Sequence, residues 1–203
     1  MKKILNIISS PRGEMSFSNK LGNALIGKIS AEYPGAEVMV RDLTHGIFPH
    51  VHAGQLEAFF TPSDQQTDLQ KASVRLSDEL IQEVFDADIL VLNVPTYNFS
   101  IPSSVKAWLD QVVRAGITFK FDENGPKGFV TGKKAYVAIS SGAVFSEGPF
   151  KENDFVEPYL KTVFGFIGIT DLNFFRVEGM GIPALSETAL EKALQSIEQY
   201  QLI

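Results

Sequence analysis

Strand-like and helix-like stretches alternate along this chain, and that rhythm restricts the fold more than any single motif. Five segments have strand character: residues 3–8, 37–42, 88–94, 134–141 and 171–177. Asp88 to Val94 (DILVLNV) is almost continuously apolar, as expected of a central parallel strand covered on both faces. Residues 37–42 alternate, as a partly exposed strand does. Helical patterns lie between the strands. Leu21, Leu25 and Ile29 share one face after the first strand, and Thr67–Phe85 aligns Leu69, Leu76, Leu80 and Val84. Ser103–Ala115 turns Val105, Leu109 and Val112 inward, residues 154–167 form an aromatic helix, and Ser186–Gln199 closes the chain. Five β-α units predict a three-layer α/β fold, with a five-stranded parallel sheet and helices on both faces. Residues 1–203 carry no evident linker, so a single domain is expected. Residues 44–64 read as a long irregular insertion, a length that is usually functional or disordered.

Composition removes several classes of chemistry. There is no cysteine, which excludes disulfides, thiolate metal sites, iron–sulfur clusters and thiol nucleophiles. Net charge is −6 and no basic stripe is present, so a nucleic-acid partner is not expected. No apolar run approaches the ~18 residues of a membrane span. The chain enters a strand after two lysines, so a secretory leader is not expected and a cytosolic location is.

In open α/β sheets, ligands sit beyond the carboxyl ends of the strands, where strand order reverses. The loops to read are therefore 9–18, 95–102 and 141–150. The first holds Ser9, Ser10, Ser16, Phe17 and Ser18 just before a helix. Early helix amides lack intrahelical acceptors and carry the positive dipole end, so this loop suits an anion, with helix capping as the simpler alternative. It lacks both the lysine-bearing triphosphate cradle and the dinucleotide fingerprint. A single phosphomonoester remains. The second loop, Pro95-Thr96-Tyr97-Asn98-Phe99, offers a stiff aromatic and amide wall to a planar heteroaromatic ring. The third, Ser140-Ser141-Gly142-Ala143, offers small residues that let backbone amides approach a ring edge. FMN would require these three elements together.

The string Pro95-Thr96-Tyr97-Asn98-Phe99, then Arg114 to Phe119, Gly125-Pro126-Lys127-Gly128-Phe129 and Gly132-Lys133-Lys134, resembles the FMN-dependent NADH-azoreductase and quinone reductase family. Ser9-Ser10-Pro11-Arg12 and Gly165 to Ile169 fit it too, so the resemblance spans nearly the whole chain. It implies a flavodoxin-like homodimer with one FMN per subunit in a cleft at the dimer interface. It implies that a first-loop serine, Ser10, and Ser16-Phe17-Ser18 hold the phosphate. It implies that the segment from Pro95 to Phe99 lies along the flavin, and that Ser140 to Ala143 meet its polar edge. Phe121 and Phe166 are implied as substrate-pocket walls, with core packing as the alternative. The implied activity is ping-pong, two-electron reduction of quinones and azo compounds, with NADH or NADPH as hydride donor. No side-chain acid or base is expected to be essential, since FMN itself carries out the redox chemistry. A flavodoxin-like electron carrier is the alternative. Such carriers usually dock through an acidic patch, whereas here the acidic residues are scattered and the candidate loops apolar. Two departures stand out. Thr96 stands where relatives often carry Met, and Ser141-Gly142-Ala143 replaces a turn that often has two glycines.

Other motifs are read as decoys. Gly22 to Lys28 imitates a phosphate loop but lies inside a helix, and Gly179 to Ala184 imitates a dinucleotide fingerprint but reads as a loop. His50 and His52 lack a third ligand and read as exposed loop residues, with no metal expected. Phe59 and Phe60 either cover a partner's cleft or pack on their own sheet. Arg12 touches either phosphate or solvent.

Overall fold

The computed structural model describes residues 1–45 and 48–202. Five parallel strands form the central sheet: β1 (Lys3–Ile8), β2 (Glu37–Asp42), β3 (Ile89–Pro95), β6 (Lys134–Ser140) and β7 (Asp171–Val177), in the order β2-β1-β3-β6-β7. Every residue of β3 is buried, as its almost continuous apolar run implies, and Asn93 within it is buried too. β2 lies at the edge, which explains its alternation and the exposure of Val38 and Val40.

One face of the sheet is covered by α1 (Phe17–Glu32) and α6 (Pro183–Gln199). The other is covered by α3 (Asp68–Asp86), α4 (Ser103–Val112) and α5 (Glu157–Ile167). Leu21, Leu25 and Ile29 pack on Ile4, Val91 and Tyr136, while Trp108 and Phe164 meet on the opposite face with ring centroids 6.4 Å apart. Burying such side chains contributes roughly 1.5–3 kcal/mol each. Pro183 opens α6, where its missing N–H removes no intrahelical bond. Gly22 lets α1 lie directly on β3: a Cβ there would stand 1.7 Å from Asn93 Oδ1. The Gly22–Lys28 decoy is thus a packing position.

The structure corrects several expectations. Residues 44–64 are not irregular throughout, because Ala53–Phe60 form α2. The Nδ1 atom of His52 accepts from the Gln55 amide and caps this helix. Buried Gln55 then donates to Gln111 of α4 and to the Ser73 carbonyl of α3. Those long-range bonds, invisible in the local pattern, dock α2. Gly46 and Ile47 of that stretch lie outside the described residues. Leu69 is exposed, because the buried face of α3 runs through Val74, Ser77, Leu80, Ile81 and Val84. The aromatic helix begins only at Glu157, capped by Asp154, whose Oδ1 accepts from the amides of Val156 and Glu157. Helix α4 ends at Val112, where Thr118 Oγ1 donates to the Val112 carbonyl and accepts from the Arg114 amide. An antiparallel hairpin, β4 (Phe119–Asp122) with β5 (Gly125–Gly128), was not anticipated. Gly128 lies so close to α5 that a Cβ would stand 2.1 Å from the Ile167 carbonyl carbon.

Candidate functional site

The reversal of strand order falls between β1 and β3, and a cleft of about 390 Å³ opens at the carboxyl ends of the strands there. It is within the usual size of a small-molecule site, roughly 300–1,000 Å³. Its walls come from four loops.

The loop after β1 supplies Ser10, Arg12, Ser16 and Phe17. Ser16 caps α1, its Oγ accepting from the Asn19 amide, and it also pairs with Ser18 Oγ at 3.0 Å. Ser18 is fully buried behind Ser16 and does not line the cleft. Asn19 Nδ2 donates to the Gly13 carbonyl and holds the loop against the helix. The amides of Phe17 and Ser18 have no acceptor among the described residues, as first-turn amides do not. Ser10 Oγ is buried and also unpartnered, whereas Ser9 Oγ is spent on the Asn93 carbonyl at 2.6 Å. Two free amides and an orphaned hydroxyl at a helix N-terminus are a donor set that fits an anion.

The loop after β3 supplies Pro95, Thr96 and Tyr97. Tyr97 and Ser100 exchange two backbone hydrogen bonds, of 2.9 and 3.0 Å, around Asn98 and Phe99. Both central residues have positive φ, 49° and 70°. Asn tolerates this region, but a bulky phenylalanine there is strained. The turn directs its side chains outward: Tyr97 is 41% and Phe99 49% exposed. Asn98 and Phe99 stand beside the cleft and do not line it.

The loop after β6 supplies Ser140, Ser141 and Gly142, with Ala143 just outside. The sequence reading missed the fourth wall, Met180 and Gly181 after β7. These two loops are zipped together. Gly179, Met180 and Gly181 donate their amides to the carbonyls of Ala143, Ser141 and Gly142. The carbonyls of 141–143 are thereby occupied, while the amides of Gly142 and Ala143 make no hydrogen bond among the described residues. Gly181 is small where size matters, since a Cβ would approach the Gly142 carbonyl oxygen to 3.2 Å. A glycine pattern after the last strand was the available signal. That pattern fails as a dinucleotide fingerprint, and its glycines serve the contact with residues 141–143 instead.

Outside the cleft, Phe121 and Phe166 form a three-ring cluster with Phe119, with centroid separations of 4.4–6.0 Å. Neither lines the cleft of its own chain, and Phe121 is 69% exposed. Phe59 packs under the Arg114 guanidinium at 4.6 Å, whereas its neighbour Phe60 is exposed. His52 is the cap of α2, and among the described residues no three His, Asp or Glu side chains are grouped to hold a metal. No helix among the described residues is long and apolar enough to cross a membrane.

Architecture, strand order and cleft define a doubly wound nucleotide-cofactor fold of the flavodoxin-like class. Residues 2–201 match the family described by that fold. The chain is 47% identical to the FMN-dependent NADH:quinone oxidoreductase of Herminiimonas arsenicoxydans, over 96% of this chain and 94% of that protein. It is 40% identical to the enzyme of the same name from Azotobacter vinelandii, over 98% of this chain and 99% of that one. Among solved structures it is similar to an azoreductase from Bacillus anthracis, with a TM-score of 0.86 and 26% identity over 98% of this chain and all of that one. The chain belongs to the flavodoxin-like family, within its group of FMN-dependent NADH:quinone oxidoreductases.

Proposed function

We propose that this protein is an FMN-dependent NADH:quinone oxidoreductase that also reduces azo compounds, with the cleft at the β1–β3 reversal as its cofactor site. The observation that carries this reading is the pairing of an anion nest with an open ring-sized slot. The amides of Phe17 and Ser18 and the orphaned Ser10 hydroxyl fit a phosphomonoester. The Pro95–Tyr97 wall and the unpaired amides of Gly142 and Ala143 fit a flat heteroaromatic ring and its polar edge. When bound there, FMN supplies two-electron hydride chemistry between a nicotinamide and a quinone or azo acceptor.

The chain's own contribution is binding and orientation. Ser16 holds the α1 N-terminus in place, and the stiff turn around Asn98 and Phe99 keeps Tyr97 at the slot's edge. With FMN held there, the unpaired amides of Gly142 and Ala143 would be preoriented donors to its polar edge. No carboxylate or imidazole lines the cleft among the described residues, and its one phenol is Tyr97. Donor and acceptor use the one cleft in turn, which gives ping-pong kinetics.

The protein acts as a homodimer in this reading. The exposed Phe60 lines a groove of about 260 Å³ with Val51, Leu56 and Phe119, and the exposed Phe121 packs on Phe119 with centroids 5.6 Å apart. Pairing two copies across this face would cover these rings.

The test is a visible spectrum of the protein reconstituted with FMN, before and after anaerobic NADH. Flavin bands that bleach with NADH and recover with a quinone are expected. Bound flavin that NADH does not reduce would favour an electron carrier, and failure to bind FMN would overturn the reading.

A further inference from the structure

Glu178 follows directly on β7, outside the cleft, with its side chain only 10% exposed. Its Oε1 accepts from the Phe145 amide at 2.9 Å and the Ser146 amide at 3.1 Å. Its Oε2 accepts from Ser146 Oγ at 2.5 Å. Arg176 Nη1 donates to Oε1 at 3.1 Å, and Arg176 Nη2 reaches Asp154 and Glu157. Residues 141–157 are thus pinned at three places. Their start is zipped to residues 179–181, their middle is held by Glu178, and their end is held through Arg176.

The pinned segment is the one that presents the Gly142 and Ala143 amides. It also carries Phe145, whose ring meets Phe99 edge-on at 6.1 Å and Phe150 at 6.3 Å. Phe99 belongs to the strained turn after the neighbouring strand β3, beside the cleft. The carboxylate therefore holds the stretch just after the Gly142 and Ala143 amides, together with the Phe145–Phe99 contact between the two loops.

We propose that Glu178 is a positioning residue for the cofactor cleft, fixing the 143–146 segment so that the cleft is formed before a ligand arrives. The proposal rests on the FMN reading above for its consequence and on the hydrogen bonds alone for its geometry. Preorganised donors bind more tightly because their ordering is already complete. What matters is the reach of Oε1, which accepts from both amides, more than the negative charge.

Two substitutions separate reach from charge. Glu178→Gln keeps the length and an oxygen for both amides, and Arg176 keeps Asp154 and Glu157 as partners. Glu178→Asp keeps the charge and withdraws the carboxylate by one methylene. Amide hydrogen exchange at Phe145 and Ser146 in the FMN-free protein reads the clamp directly, and a fluorescence titration with FMN reads its consequence. Exchange in the Gln variant is expected near the parent's, and in the Asp variant about tenfold or more faster. FMN affinity is expected within about twofold of the parent for the Gln variant and about tenfold weaker for the Asp variant. Equal behaviour of the two variants, or the reverse order, would overturn the proposal. A parent protein with protected amides that fails to bind FMN would instead overturn the functional reading, and with it the role of the clamp in binding.

Discussion

Phe99 adopts a backbone φ of 70°, and its ring meets Phe145 edge-on with centroids 6.1 Å apart. A strained residue is held where it contacts the loop from the neighbouring strand. Strain of this kind costs about 1–3 kcal/mol and persists where surrounding structure enforces it. Phe99→Gly introduces the Asn-Gly pair that such two-residue turns favour, at the expense of the ring contact. Stability is expected to change by less than about 1 kcal/mol, against about 3–5 for a typical phenylalanine truncation in a core. FMN affinity and turnover are expected to fall about tenfold, since the bridge between two cleft walls is gone. Urea denaturation and flavin titration on the same variant check both halves, and a large stability loss would refute the strain argument.

Ser9 and Ser10 are adjacent, buried and differently employed. Ser9→Ala removes a 2.6 Å bond to the Asn93 carbonyl inside the core and is expected to destabilise the FMN-free protein by about 1–3 kcal/mol. Ser10→Ala removes a hydroxyl with no partner and is expected to leave the FMN-free melting temperature unchanged or raised. Its effect falls on FMN, with binding about tenfold weaker. Thermal melts with and without FMN distinguish the two roles, and a Ser10 variant that binds normally would remove this serine from the anion nest.

Gly22→Ala places a methyl group against Asn93, whose amide is tethered to Asn6 Oδ1 at 2.9 Å. Neither α1 nor β3 has room to give, so a loss of about 3 kcal/mol is expected. For a chain of this size that corresponds to a melting temperature lower by about 8 °C. A melt within about 2 °C of the parent would show that helix and strand separate more easily than their packing implies.

Acid stability follows from Glu157. Burial pushes its carboxyl upward, but hydrogen bonds from Lys161 and Arg176 outweigh this and hold it below the ordinary glutamate range. A depressed folded-state value adds stability above the unfolded value, about 4.3, and that stability is lost as pH falls through the folded one. The melting temperature is therefore expected to fall steeply between about pH 5 and 3. Glu157→Gln should show a shallower slope there, and parallel slopes for the two proteins would rule this carboxylate out as a contributor.

Much of the fold was legible because strand burial leaves a direct mark on composition. The DILVLNV run announced a strand covered on both faces, and Leu21, Leu25 and Ile29 announced one helix face. The elements that escaped depend on distant partners. α2 is capped by a histidine and docked by buried glutamines, neither of which is an ordinary helix signal. The β4–β5 hairpin has a Gly-Pro-Lys-Gly strand with no apolar alternation, and it exists because Gly128 can approach α5. Three walls of the cleft were legible as loops at strand ends. The fourth, at Met180 and Gly181, depends on backbone bonds to residues 141–143, which no local pattern encodes.

Those bonds have a consequence for the order of biogenesis. The candidate anion nest is drawn from the first half of the chain, from β1, α1 and the strand beside them, but a domain folds as a unit. The far wall must wait for residues 178–181, near the last stretch to leave the ribosome. A nascent chain therefore has neither wall in place until its end is made, and a ligand of this cleft can be gripped only by the nearly finished polypeptide.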